Sequence, residues 1–565
     1  MQLSREKPIW YLQCVEVLCS MSGIYDGICV GAVRKAGYCI RLKKEETMDK
    51  TGIRKMWIAD NGDGTYSNPI LYTDYSDPDV IRVGEDYFMV ASSFCNAPSV
   101  PLLHSKDLVN WKVINYVMEK LPTKRYDKPV HGCGAWAPAI RYHEGTYYVF
   151  IPFPDEGIFM CKTTDPWGRW SEPAYVRQVT GWIDPCPFWD EDGKAYMVTA
   201  FARSRIGFKS ILHLSSMAPD GSGVLDDGRH IFDGKETQPT IEGPKLYKRN
   251  GYYYIFAPAG GVKTGWQTVL RSRNIWGPYE EKIVLHQGNS PINGPHQGAW
   301  IDTPDGQDWF IHFQDVGNAG RIIHLQPMRW EEDWPIIGVN EAEGCGEPVL
   351  TYKKPDVGAV YEIDAPEDSD FFEGEKLGMQ WQWNANFHED WYALGGKKAG
   401  ITLYAQPIEG GTRLCDVPNL LIQKWPAPEF QITVKLDISC MADRDVAGLV
   451  NLGGIYTCLA VERYGAVKKL VFRKGTWDKD DELERAYDEV DTDIIYLRMQ
   501  VEEESTIIYS YSLDAKEYRI VGEISETAPG RWVGVKSGLF ALNEKGRRGG
   551  SVSAEYFVFE PLEKQ

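Results

Sequence analysis

A glycine-containing turn followed by a strand apolar at nearly every position recurs along the first two-thirds of the chain. The copies read GEDYFMV at 84–90, EGTYYVF at 144–150, DGKAYMV at 192–198, NGYYYIF at 250–256 and DGQDWFI at 305–311. Asp-Gly and Asn-Gly pairs favour two-residue hairpin turns, because glycine takes positive φ at little cost. Each copy therefore reads as the second strand of a hairpin. The turn glycines stand roughly 50–60 residues apart, the length of a four-stranded propeller blade. Five copies predict five blades, and no Trp-Asp signature closes them as it would in a WD40 array.

The strand before each turn opens in a distinctive way. Asp77-Pro78 leads the first copy, Trp136-Ala137-Pro138 the second, Asp184-Pro185 the third, Glu242-Gly243-Pro244 the fourth and His296-Gln297-Gly298 the fifth. Equivalent positions of successive blades surround the axis of a propeller. Repeat symmetry therefore predicts that these groups converge at one mouth of the central channel.

The pattern ends near residue 345. A Pro- and acid-rich stretch with Pro355, Pro366 and Asp370 reads as a linker. Beyond it come short alternating strands, ITLYA at 401–405, FQITVKLDI at 430–438 and TIIYSYSL at 506–513, with no helix-length amphipathic segment between them. Two packed sheets are the natural solution for such a run. The expected organisation is all-β. Residues 1–55 form an N-terminal extension without a pattern of its own, 56–345 a five-bladed β-propeller, 346–370 a linker and 371–565 a β-sandwich. In the leader, the apolar run from Ile9 to Cys19 is broken by Glu16 and no small-residue cleavage site follows, so it does not read as a signal peptide. Met48 and Met56 are alternative starts, and a misplaced start codon would account for the extension.

Composition narrows the partners. The net charge of −19 argues against nucleic acid and anionic membranes, which call for a basic face. No run of about 18 uncharged apolar residues offers a membrane span. The 20 Trp and 31 Tyr suit sheet packing first and sugar stacking second. The 12 Cys include no CxxC pair and read as buried reduced thiols, which places the protein in the cytoplasm. Oligomeric state is left open, a homo-oligomer included.

The chemistry rests on Asp77, Asp184 and Glu242. An acid at a strand end is ordinarily just solvated. Three acids heading three blades, each followed by Pro directly or after one Gly, make that reading much weaker. Carboxyl groups forced together at one axis repel, and repulsion with burial raises at least one pKa. One carboxyl then serves as acid and another as base at neutral pH, as glycoside hydrolysis requires.

Residues 66–338 resemble glycoside hydrolase family 43. The resemblance is carried by YSDPDVIRVGEDYFM at 75–89, GAWAPAIRYHEGTYY at 134–148, WIDPCPFWDEDGKAY at 182–196 and IEGPKLYKRNGYYYIF at 241–256. GPHQGAWIDTPDG at 294–306 and GRIIHLQPMRW at 320–330 follow in the family's order. The C-terminal part, ending in WVGVKSGLFAL at 532–542, is similar to the concanavalin A-like sandwich, a jelly roll, appended to β-xylosidase and arabinofuranosidase members. The resemblance implies a five-bladed propeller and an inverting mechanism, with Asp77 as general base, Glu242 as general acid and Asp184 as the carboxylate that tunes and positions Glu242. It implies further that Arg321 contacts substrate, that Phe94 is an aromatic wall of the sugar subsite, and that His296 lies near the axis and binds a calcium or sodium ion through water-rich coordination. A hard cation prefers oxygen ligands, so the alternative for His296 is a hydrogen bond beneath the carboxylates. Trp136 and Trp266 are further stacking candidates, with blade packing as the alternative. Asp74 and Asp79 flank the base without sharing its role: Asp74 lies in the preceding loop and Asp79 faces the other side of the strand.

The expected activity is exo-hydrolysis of pentose-containing oligosaccharides in plant cell-wall polysaccharides, as β-1,4-xylosidase or α-L-arabinofuranosidase, with no cofactor required for the chemistry. The residues after Phe94 read CNAPSV and depart from the bulkier β-xylosidase pattern, which leaves the sugar open. The alternatives are an endo-arabinanase and a non-catalytic carbohydrate-binding propeller. A fructan hydrolase lacks its Asn-Asp-Pro-Asn motif here, and a phosphorylase its basic pocket.

Overall fold

The computed structural model describes residues 55–562 apart from 343, 396–399 and 504. The expected N-terminal extension lies outside the described residues, save its last position. Five sheets follow one another, each built on four antiparallel strands in sequence order. Their first strands are Asp79–Val83, Ala139–His143, Trp182–Trp189, Lys245–Arg249 and His296–Asp302. The blade 4 sheet carries two extra strands, Val339–Ala342 and Cys345–Glu347. The ring is closed by the segment ahead of blade 1: the Ile70 N–H donates to the Ile323 carbonyl of blade 5 at 2.7 Å, and the Asn68 amide bridges the Leu325 and Val349 carbonyls at 2.8 Å each.

Blade packing explains why the repeated strand is apolar at almost every position. In blade 1, Tyr87 and Met89 join the cluster shared with blade 5, while Phe88 and Val90 face the other way into the cluster shared with blade 2. Each sheet is sandwiched by its neighbours, so period-2 alternation is lost. Burying such a side chain contributes roughly 1.5–3 kcal/mol.

The sequence-marked Pro positions turn out to be β-bulges. In blade 1 the Ser92 N–H donates to the Ser76 carbonyl, whereas Asp79 pairs with Val90; Asp77-Pro78 therefore oppose one residue. The same count holds for Ala137-Pro138, Asp184-Pro185 and Gly243-Pro244, and in blade 5 Gln297 is the inserted residue. Proline fits there because the bulge asks no ladder donor of it.

Beyond residue 369 two larger sheets face each other. One holds Leu421–Lys424, Lys536–Asn543 and Asp445–Leu452 among its strands, the other Phe430–Asp437, Ser551–Glu560 and Ile494–Glu502. This is the expected sandwich. Its core is continuous with that of blades 1 and 2, and Trp383 exchanges backbone hydrogen bonds with Ala97, at 2.6 and 3.1 Å. No helix among the described residues is long and apolar enough to cross a membrane. The eight described cysteines are all unpaired; the four in the leader lie outside the described residues.

Candidate active site

The bulges aim the carboxyl groups. Asp77 and Asp184 are the first bulge residues of blades 1 and 3 and take φ of 55° and 53°, a left-handed conformation that Asp tolerates better than most side chains. Glu242 departs from strict equivalence, because it precedes the blade 4 bulge by one residue and corresponds to Ser76 and Ile183. The bulge position itself is Gly243, with φ of 57°. A Cβ there would stand 2.7 Å from the Gln297 side chain, so no acid fits, and blade 4 presents its carboxyl from the position before.

Asp77 is 4% exposed. Its Oδ2 accepts from the Ser76 and Ser92 hydroxyls at 2.6 and 2.7 Å, and its Oδ1 from Arg321 Nη1 at 2.8 Å. Arg321 Nη1 also lies 2.9 Å from Ser76 Oγ, and the guanidinium sits 4.7 Å above the Phe313 ring. Asp184 is buried and accepts the Gly243 N–H at 2.7 Å. Burial, with the Glu242 and Asp77 carboxyls beside it, pushes Asp184 up to about 8. Glu242 is the most open of the three, with a side chain 26% exposed, and its Oε1 lies 2.9 Å from His296 Nε2.

The raised Asp184 has a consequence for stability. An unfolded Asp ionises near 3.8, so folding takes up a proton between about pH 4 and pH 8, and the contribution is full at the acid end and lost as pH rises. Asp184→Asn keeps an oxygen for Gly243 and removes the buried charge. Thermal unfolding is expected to show Asp184→Asn more stable than wild type near pH 8, with the gain shrinking toward pH 4. An equal effect at both ends would contradict the assignment.

Phe94, with φ of 51°, exchanges backbone hydrogen bonds with Ala135, and its ring centroid is 6.3 Å from that of Trp136. Arg205 lies 4.9 Å from the Trp136 ring centroid. Trp532 of the sandwich meets Trp136 edge-on at 4.9 Å, extending the aromatic row by a residue that sequence reasoning noted only within a family motif. The Trp266 indole N–H donates to Gln238 Oε1 at 2.8 Å and its ring packs against Gly260; like Trp136 it is partly buried against the cluster between blades 3 and 4. Asp79 is buried under the site, accepting from Ile140 N–H at 2.9 Å and Arg141 at 2.6 Å with Lys245 at 3.9 Å, so it ties blades 1, 2 and 4 together. His296 Nδ1 and Gln297 Oε1 are both buried without a partner among the described residues.

The sequence profile of Glycosyl hydrolases family 43 matches residues 66–335, and that of the Beta xylosidase C-terminal Concanavalin A-like domain matches 369–560. A protein of Xylanibacter ruminicola is 40% identical over 498 residues, covering 87% of this chain and 89% of its own length. A beta-xylosidase of Formosa agariphila is 33% identical over 552 residues, covering 89% and 91%. A non-reducing end α-L-arabinofuranosidase of Bacteroides ovatus is 28% identical over 454 residues, covering 75% and 81%. Among solved structures, the Bacteroides ovatus xyloglucan-locus GH43B superposes with a TM-score of 0.76 at 26% identity, covering 88% of this chain and 100% of its own. Propeller, carboxyl cluster, appended sandwich and relatives agree: the chain belongs to glycoside hydrolase family 43.

Proposed function

We propose that the chain is an inverting, exo-acting pentosidase that removes terminal β-D-xylose, and α-L-arabinofuranose as the second sugar, from plant cell-wall oligosaccharides. The observation that carries the reading is the division of the carboxyl cluster. Asp77 is an ion pair with Arg321, while buried Asp184 is drawn to its protonated form beside Glu242. Asp77 takes a proton from water as that water attacks the anomeric carbon. Glu242, open to the cleft, gives its proton to the departing glycosidic oxygen. Asp184, beside it, tunes and positions Glu242, and His296 orients its Oε1. The Arg321 guanidinium, fixed on Asp77 and Ser76, borders the sugar hydroxyls. The Phe94, Trp136 and Trp532 row offers apolar faces to pyranose or furanose C–H groups, and its sandwich residue closes one side of the cleft, which favours release from a chain end. Xylose is placed first because relatives covered along most of their length carry that name.

The unpartnered His296 Nδ1 and Gln297 Oε1 fit a water-bridged calcium or sodium ion better than a caged one, since such a cation wants six or more oxygens. When bound it would supply positive potential to the site; the proton transfers run through Asp77 and Glu242 alone.

Hydrolysis of nitrophenyl β-xyloside and nitrophenyl α-arabinofuranoside tests the reading. Turnover is expected on one or both, with xyloside ahead. Folded protein inert toward both would overturn it and favour a binding propeller; cleavage confined to internal bonds of arabinan would favour the endo-acting alternative.

A further inference from the structure

We infer that Asp74 is a positioning residue through which the β-sandwich sets the geometry of the base Asp77. The inference deepens the reading of Asp77 and Arg321 given above and rests on it.

Asp74 is 4% exposed and sits three residues ahead of Asp77. Its two oxygens serve two different parts of the molecule. Oδ1 accepts the backbone N–H of Arg321 at 2.9 Å, and Oδ2 accepts the backbone N–H of Gly534, from the sandwich, at 2.8 Å. Arg321 then returns to the same segment, its Nη1 bonding Ser76 Oγ and Asp77 Oδ1. Arg321 is thereby held by its backbone on one carboxylate and by its side chain on another, and the first of these is tied to the sandwich.

The close approach is built into the sequence. At Gly320 a Cβ would lie 2.5 Å from the Asp74 carboxyl carbon, and at Gly534 a Cβ would lie 2.9 Å from backbone atoms of Ala319 and Gly320. Real Cβ atoms do not approach so closely, so both positions need glycine for the two backbones to meet at Asp74. The Val535 N–H donates to the Asn318 carbonyl at 2.8 Å alongside. A buried carboxylate that accepts a backbone N–H on each of its two oxygens is well held. The same sandwich loop carries Trp532. One loop therefore has two distinct attachments, an aromatic one to the sugar wall through Trp136 and a polar one to the base through Asp74.

These attachments separate kinetically. Loss of the wall weakens sugar binding, whereas misplacing the base slows the step in which water is deprotonated. A misplacement of about 1 Å costs up to about a hundredfold in rate. On nitrophenyl β-xyloside, Asp74→Ala and Gly534→Ala are expected to lower kcat about tenfold to a hundredfold, with KM changed less than about threefold. Asp74→Asn, which keeps one oxygen for Arg321 but turns an NH2 toward Gly534, is expected to fall between wild type and Asp74→Ala. Trp532→Ala is expected to raise KM with the smaller change in kcat. Near-UV circular dichroism identifies the folded variants, and Gly534→Ala and Asp74→Asn carry the test if Asp74→Ala does not fold. An active wild type with folded Asp74 and Gly534 variants that keep kcat within about twofold, or that change KM alone, would overturn the inference while leaving the pentosidase reading in place. A wild type inert toward both glycosides would overturn both.

Discussion

Glu242→Gln is expected to lower kcat by about 10²–10⁴-fold for substrates whose leaving group is a sugar, the range ascribed to a positioned general acid. The amide keeps the size of the side chain and an oxygen for His296 Nε2, which stands 2.9 Å from Glu242 Oε1, but it has no proton to give. The loss should therefore depend on the leaving group. A xylosyl or alkyl alkoxide departs poorly without protonation and should show the full effect, whereas a dinitrophenolate departs unaided and should show little. A defect equal for all leaving groups would mean that Glu242 holds the substrate or the fold rather than supplying the proton. Xylobiose and dinitrophenyl β-xyloside, compared in one buffer, separate these outcomes.

Asp77→Asn should behave in the opposite way. Water activation is needed whatever departs, so the loss, again about 10²–10⁴-fold, should be similar for good and poor leaving groups. The three donors that now serve the carboxylate, Ser76, Ser92 and Arg321, would then face an amide that cannot accept all of them. Azide needs no deprotonation, so it is expected to restore turnover of dinitrophenyl β-xyloside and to yield the α-xylosyl azide. No rescue at any azide concentration, or a β-azide, would argue against Asp77 as base.

Much of this was legible in the sequence because propeller symmetry is written locally. Five turn-and-strand copies gave the blades, and the x-Pro dipeptides at their heads marked positions that the structure reveals as bulges. The carboxyls Asp77 and Asp184 stood out by that repeat. Glu242 was found by the same signal although it sits one residue off register; what displaces it is the Gln297 side chain of the next blade, which a repeat comparison does not register. Trp136 and Trp266 look alike as isolated aromatics, and their partners, Phe94 and Trp532 for the one and Gln238 for the other, are not marked by periodicity. Contacts distant in sequence were the least legible. The Asp74–Gly534 bond spans 460 residues, and Trp532 reaches Trp136 from another domain; neither follows from periodicity. Gly320 and Gly534 permit the approach at Asp74, but Gly320 already reads as a turn glycine between two strands, and a glycine alone does not say which backbone it admits.

The central claim is that Asp77 and Glu242 act on opposite faces of the sugar, one on water and one on the leaving oxygen. The stereochemistry of the first-formed product tests it most directly. Proton NMR of nitrophenyl β-xyloside hydrolysis, followed from the first minutes, should show α-xylose appearing first and β-xylose growing in only as mutarotation proceeds. β-Xylose as the first product would mean retention through a covalent intermediate, and would contradict the roles assigned to both residues.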